Sequence, residues 1–183
     1  MKEMPVINTA RLILERFVES DSGKVYELLK SGEISRQALF IPHPMKKEFT
    51  GDWISVHERD FRSGKSLNLA LKLKENNEII GAAGINIEPD HKRAELGYWV
   101  GVQHWNKGYA TEAVKSFMDY CFTMIPLNKV FASRLGCNPA SGMVLKKCGF
   151  TEEGLMKEHV FHFGKFDDLH FYGLLRKNYE ELY

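Results

Sequence analysis

The pattern of apolar and polar residues in the first half of the chain predicts strands separated by two helices. Residues 9–17 alternate apolar and charged side chains, as a half-buried strand does. Asp21 can cap the helix that follows it, and a second helix follows a proline-rich break at residues 42–44. The predicted strands lie at residues 9–17, 67–73 and 78–87, the turn between the last two at 75–77, and the helices at 21–31 and around Trp53 and Phe61.

In the second half of the chain, apolar residues recur every three or four positions from Ala110 to Cys121, which predicts one face of a helix. Asn138-Pro139 forms a good helix start, and Gly149 a good helix end. Further strands are predicted at residues 95–100 and 129–134, from 150 onward, and twice within 160–175. Strands that alternate with a few helices, with hairpins at both ends, indicate a mixed α+β sheet.

Length and composition narrow the class of protein. The 183 residues fit one domain, residues 1–183, with a core of its own. The net charge of +1 and the absence of a basic tract argue against direct binding of nucleic acid. We expect no membrane span, because no apolar stretch is long enough, and no metal, because Cys121, Cys137 and Cys148 lack ligand spacing. An odd number of cysteines is most economically explained by a cytoplasmic location.

Residues 95–113 carry the clearest chemical signal. They predict a short strand, a turn at Asn106, Lys107 and Gly108, and then a helix. A helix that begins after such a turn directs unpaired N–H groups and the positive end of its dipole at one spot, which favours phosphate. The turn lacks the Lys-Ser/Thr ending of a nucleotide P-loop and the three glycines of a dinucleotide fingerprint. An ordinary strand-to-helix turn would also explain a single glycine.

The stretch Trp105-Asn-Lys-Gly-Tyr-Ala-Thr-Glu-Ala113 resembles the acetyl-CoA pyrophosphate loop of the GNAT acetyltransferase superfamily, in its RimJ/RimL branch. A second motif, from Asn138 through Ser141 to Gly149-Phe150, is similar to the run that lies beside the pantetheine arm in that branch. The resemblance extends from Thr9 to about Leu175. It implies the GNAT fold, a mixed and mostly antiparallel sheet flanked by helices, and acetyl transfer from acetyl-CoA to a primary amine by direct attack.

The same resemblance implies where acetyl-CoA binds. The loop amides would hold the pyrophosphate, the backbone at the end of the 95–100 strand would pair with the pantetheine amides, and the Val100 N–H would stabilise the oxyanion. The implied cofactor-binding residues are Trp99, Val100, Val102, Trp105, Asn106, Lys107, Gly108, Tyr109, Ala110, Thr111, Asn138 and Ser141.

The catalytic residues are less clearly marked. Many GNAT enzymes carry a tyrosine, as the acid that protonates the departing thiolate, where this chain has Leu145. The role then falls to Ser141, to water or to no group. Glu95 is the leading carboxylate for deprotonating the amine, although an exposed strand carboxylate with no role explains it nearly as well. The rival bases are His91, His104, His159 and His162.

Three functions stay open at this point. The first is acetylation of a protein N-terminus, such as that of a ribosomal protein. The second is acetylation of a small amine (a polyamine, amino sugar, amino acid or antibiotic), which predicts a closed acidic pocket. The third is a CoA-binding module without turnover. Acids available for the pocket are Glu152, Glu153, Glu158, Asp167 and Asp168. A homodimer through the C-terminal aromatic strand is compatible with each of them.

Overall fold

The computed structural model describes residues 3–182, which form one eight-stranded sheet with helices on both faces. The strands are β1 (Ile7–Asn8), β2 (Leu12–Glu15), β3 (Ser66–Leu73), β4 (Ile79–Glu88), β5 (Arg93–Val100), β6 (Lys129–Leu135), β7 (Thr151–His162) and β8 (Lys165–Leu175). The α-helices are α1 (Ser22–Leu29), α2 (Lys47–Ser55), α3 (His57–Arg62), α4 (Tyr109–Met124), α5 (Pro139–Lys147) and α6 (Arg176–Leu182). This architecture confirms the predicted mixed α+β sheet and the GNAT fold.

The sheet forks between β5 and β6. Its strand order is β1-β2-β3-β4-β5-β6-β8-β7, and every neighbouring pair is antiparallel except β5 and β6. That parallel pair is joined only where Arg93–Glu95 meets Lys129–Phe131. Beyond Glu95 the two strands separate, so one edge of β5 and one edge of β6 face an opening rather than each other.

Two apolar cores hold the sheet, one on each face. On the first, α4 buries Val114, Phe117 and Cys121 against residues of the central strands that include Leu96 and Val100. Fully burying side chains of this size stabilises the fold by about 1.5–3 kcal/mol each. On the second face, α1 and α2 pack against Trp99 of β5. Because successive strand residues point to opposite faces, β5 contributes to both cores.

Three local predictions were wrong. The predicted strand at residues 9–17 is interrupted by a turn in which the Leu12 amide donates to Thr9 Oγ1 at 2.8 Å, so β1 and β2 are separate. The Asp21 side chain does not cap α1, because its carboxylate accepts a hydrogen bond from the Val18 amide at 2.9 Å. The three C-terminal strands are two, since bulges in β7 absorb extra residues and let it pair with β8 along its whole length.

Candidate active site

The fork leaves backbone groups of β5 unpaired at the opening. The Gly101 amide donates to the Ile80 carbonyl of β4 at 2.7 Å, and antiparallel pairing alternates from there. The N–H and C=O groups of Tyr98 and Val100 therefore point away from β4 and toward the opening, past the last residues that pair with β6. The Val100 carbonyl accepts a hydrogen bond from the Trp105 indole at 2.6 Å. What points into the opening at the end of the strand is the Val100 N–H.

A cavity of about 370 Å³ fills the opening. Its walls are the forked strands, the turn before α4, the first turn of α4, one face of α5, and residues 34–40, which precede α2. Ten of the twelve cofactor-binding residues predicted from the sequence line it, namely Trp99, Val100, Trp105, Asn106, Gly108, Tyr109, Ala110, Thr111, Asn138 and Ser141. Val102 packs instead with the core under α1, and Lys107 also lies outside the lining.

The turn before α4 has the backbone that a phosphate loop needs. Gly108 has φ +82° and Asn106 has φ +60°, both in the left-handed region, and α4 begins immediately afterwards. The first N–H groups of a helix have no intrahelical partner, so those of Tyr109, Ala110 and Thr111 face the cavity side of the loop unpaired within the helix. A side chain at Gly108 would be strained by its φ value, and its Cβ would lie 3.4 Å from Arg11 Nη2.

Arg11, which the sequence analysis did not single out, lies just before β2 and hydrogen-bonds to this loop. Its Nη1 donates to the Lys107 carbonyl at 2.9 Å, and its Nε donates to Glu112 of α4 at 2.7 Å. The Glu112 carboxylate also accepts from the Arg11 amide at 2.7 Å and from Thr9 Oγ1 at 2.6 Å. Burial raises the pKa of Glu112, but these hydrogen bonds outweigh it, and the net pKa lies below its usual range. Arg11 therefore fixes the loop and the start of α4 together.

Asn138 links the start of α5 to the opposite wall. Its Oδ1 accepts from the Ser141 amide at 3.0 Å, which confirms the predicted helix cap. Its Nδ2 donates to the Gln37 carbonyl at 3.1 Å. One Nδ2 hydrogen remains for a ligand. A second bond holds the same wall, because His162 Nε2 of β7 lies 2.8 Å from the Ser35 carbonyl.

Ser141 has a hydroxyl partner that the sequence did not reveal. Tyr98 Oη lies 2.9 Å from Ser141 Oγ and 3.1 Å from the Ser141 carbonyl oxygen. Burial raises the pKa of the Tyr98 phenol. Leu145, at the usual tyrosine position, is completely buried in the core and offers no donor. No local sequence pattern indicates this contact, which joins residues 43 apart.

The predicted bases lie in different places. Glu95 is at the joined end of the fork and does not line the cavity; burial, with a smaller contribution from Glu88, raises its pKa. His104 does line the cavity, and burial lowers its pKa. His91 and His159 are exposed outside the lining. The structure thus brings only His104 of these candidates to the cavity wall, beside the loop rather than beside Ser141.

The charge of the cavity wall is positive. Its ionisable side chains include Arg134 and Lys147, and within residues 3–182 no carboxylate lines it. Arg134 Nε donates to Tyr172 Oη at 3.2 Å, and its Nη1 donates to the Leu135 carbonyl at 3.0 Å. The acids proposed for a small-amine pocket all lie outside the lining, at Glu152, Glu153, Glu158, Asp167 and Asp168. The structure therefore does not show the acidic pocket that the small-amine alternative predicts.

Comparison with known proteins agrees with this geometry. The sequence matches the acetyltransferase (GNAT) domain family over residues 11–151. The chain belongs to this family. It is 29% identical over 177 residues to the uncharacterized N-acetyltransferase p20 of Bacillus licheniformis, covering 96% of this chain and 99% of that protein. It is 30% identical over 95 residues to a spermidine N(1)-acetyltransferase of Vibrio cholerae, covering 52% and 55% of the two chains.

The fold has a close counterpart among solved structures. RimL, a ribosomal L7/L12 alpha-N-protein acetyltransferase solved in complex with coenzyme A, superposes with a TM-score of 0.85 at 20% identity, covering 93% of this chain and 98% of RimL. The protein is accordingly an acetyl-CoA-dependent N-acetyltransferase. The forked strands, the unpaired loop amides and the glycine at their centre fit that cosubstrate. Among the described residues there is no cluster of side chains that could hold a metal ion, and no helix is long and apolar enough to cross a membrane.

Proposed function

We propose that residues 1–183 form one domain that acetylates a protein N-terminal amine of the ribosomal-protein type. The observation that carries this proposal is the acceptor side of the cavity, which combines exposed apolar side chains with the absence of a carboxylate. Leu39 and Phe40 line the cavity and are 41% and 60% exposed. An extended peptide can cover such side chains with its backbone and second residue, whereas a free small amine cannot.

Charge argues in the same direction. A polyamine carries several positive charges, and binding it requires carboxylates that neutralise them. The wall offers Arg134 and Lys147 instead, and the described residues place no acid there. A peptide N-terminus carries one positive charge, which it must lose before it can react. The cavity therefore favours a peptide over a polycation.

The chemistry follows from the positions of the loop and the two forked strands. The N–H groups at the start of α4 hold the pyrophosphate, and the open edge of β5 pairs with the pantetheine amides. The deprotonated amine attacks the thioester carbonyl, and the Val100 N–H stabilises the oxyanion. Ser141 supplies the proton to the departing sulfur. Glu95 does not reach the cavity lining, so any part it takes in removing the proton of the amine runs through water.

Other expectations from the sequence complete this proposal. A cytoplasmic location is supported by the free state of Cys121, Cys137 and Cys148. The homodimer and the absence of direct nucleic-acid binding stay predictions. A module without turnover is not part of the proposal, because the chain belongs to an acetyltransferase family.

The test is thiol release from acetyl-CoA with two sets of acceptors. One set holds short peptides with free Ser, Ala or Met N-termini, and the other holds polyamines, amino sugars and amino acids. We expect release with peptides. Release that occurs only with small amines would refute the proposal. Gly108→Glu, which places bulk and negative charge in the loop, serves as the blank for enzyme-dependent release.

A pair of phenylalanine variants tests the acceptor wall itself. The Phe40 ring packs over Gly97 of β5, where a Cβ would lie 3.4 Å from it. Phe40→Ala should raise the peptide KM about tenfold while acetyl-CoA affinity is kept, because apolar contact area is lost. Phe166→Ala removes a comparably exposed ring from β8 outside the cavity and should change neither quantity. Equal peptide KM values in both variants would remove Phe40 from the acceptor site.

A further inference from the structure

Two hydroxyl groups from different elements meet inside the cavity. Tyr98 stands on the open part of β5, and Ser141 lies in the first turn of α5. Tyr98 Oη is 2.9 Å from Ser141 Oγ and 3.1 Å from the Ser141 carbonyl oxygen. Other hydroxyls line the cavity, at Tyr109, Thr111 and Ser133, but among the described residues only these two bond to each other. The contact therefore connects β5, on one side of the opening, with α5, on the other side.

The two distances allow two arrangements of hydrogen atoms. A carbonyl oxygen can only accept, so a Tyr98 O–H that donates to it must accept a hydrogen bond from the Ser141 hydroxyl. The serine proton is then used within the pair. A Tyr98 O–H that donates to Ser141 Oγ instead frees the serine proton to point into the cavity. Rotation of one phenolic O–H thus decides whether Ser141 can donate to a bound group.

Tyr98 keeps a proton that it can donate in this pair. Burial is the main cause that raises the pKa of its phenol, so the hydroxyl keeps its proton at any working pH. No cation or carboxylate bonds to it among the described residues, and its position is fixed by β5 and the adjoining core. Within the described residues, the Tyr98 hydroxyl therefore hydrogen-bonds only to Ser141.

We propose that Tyr98 is a positioning residue for Ser141 and directs the Ser141 proton at the sulfur of CoA. The inference rests on the proposed role of Ser141. In the transfer, the C–N bond forms between amine and acetyl carbon while the C–S bond breaks and its electron pair goes to sulfur. Ser141 passes its proton to sulfur and takes one back from the solvent, which receives the two protons that the ammonium loses. One proton is released overall.

The first test needs no acceptor. The ultraviolet absorbance of the thiolate reports the pKa of the CoA thiol in the binary complex. A donor at the sulfur stabilises the thiolate, so Ser141→Ala should raise this pKa by about one unit, and Tyr98→Phe should raise it by roughly half as much. A shift in Ser141→Ala without one in Tyr98→Phe would overturn the inference and keep the role of Ser141. No shift in either variant would refute the role of Ser141 itself.

The second test is a kinetic cycle with whichever amine the parent acetylates. Tyr98→Phe should lower kcat about tenfold with an unchanged KM for acetyl-CoA, since only a proton step is affected. The double variant should be no slower than Ser141→Ala alone, because Tyr98 acts through Ser141. Tyr26→Phe, on α1 outside the cavity, is the matched control. Additive losses, or a raised KM with intact kcat, would overturn the inference; equal free energies of unfolding show that each variant folds.

Discussion

Replacing the imidazole of His57 with a phenyl ring should remove much of the acid sensitivity of this fold. His57 begins α3 and is only 4% exposed. Its ring lies 4.4 Å from the Trp53 ring and 5.6 Å from the Phe17 ring, measured between centroids. Neither ring nitrogen hydrogen-bonds to any residue within the described part of the chain. Burial lowers the pKa of His57 from 6.5 to about 4, against a weaker opposing effect of Asp60.

The sign of the effect follows from the direction of this shift. The unfolded chain binds a proton at His57 below pH 6.5, whereas the folded protein resists it until about pH 4. The stability that the neutral ring contributes is therefore complete above pH 6.5 and is lost as pH falls toward 4. Proton linkage gives a loss of about 2 kcal/mol between about pH 7.5 and about pH 5. That is a large part of the roughly 5–15 kcal/mol typical of a domain.

The assay is urea unfolding of the parent and of His57→Phe at both pH values. Other titrating groups act equally in the two proteins, so the difference between their pH-dependent losses isolates His57. We expect the variant to lose about 2 kcal/mol less than the parent. His57→Leu gives a second, smaller replacement in case the phenyl ring overpacks the site. His91→Gln changes an exposed histidine as a control. Identical losses in all four proteins would refute the reasoning.

Three further predictions concern the active site. Gly108→Glu should abolish acetyl-CoA binding in a calorimetric titration, because it sets a carboxylate against the phosphates at a left-handed position; unchanged affinity would remove the loop assignment. Arg11→Ala should raise the KM for acetyl-CoA about tenfold and leave kcat near the parent value, since it releases the loop and not the reacting atoms; a loss confined to kcat would contradict this. Glu95→Gln should depress the rate most at low pH if Glu95 assists deprotonation, whereas a pH–rate profile parallel to the parent would exclude that role.

Features of the site that depend on neighbouring residues could be predicted from the sequence. The left-handed glycine before α4 and the Asn138 cap of α5 are each determined within a few residues, so their chemistry is visible in the local pattern. The turn chemistry near Thr9 and the capping of α1 were mistaken, although they are also local. There, several polar side chains compete for the same backbone groups, and only their geometry decides between them.

Contacts between distant parts of the chain could not be predicted in this way. Arg11 and Glu112 are 101 residues apart, and Tyr98 and Ser141 are 43 apart. Arg11 meets Glu112 because α4 packs against β1 and β2, whereas Tyr98 meets Ser141 because β5 separates from β6 beyond Glu95. No local pattern reports either arrangement. The distance of Glu95 from the cavity could not be predicted for the same reason. Its position on the strand was correct, but it lies at the joined end of the fork, away from the cavity lining.

Helix α5 connects the side of the cavity that we propose for acetyl-CoA with the side that we propose for the acceptor. Asn138 caps this helix with its Oδ1 and donates from its Nδ2 to the Gln37 carbonyl. One side chain thus ties the start of α5 to the cavity wall that precedes α2. Ser141, three residues later, contacts Tyr98 on the opposite branch of the fork. A displacement of α5 would therefore change the proposed acceptor wall and the proposed proton donor together. Direct transfer requires the amine, the thioester and the proposed donor to be aligned at the same time. The position of one short helix, α5, therefore determines much of this alignment.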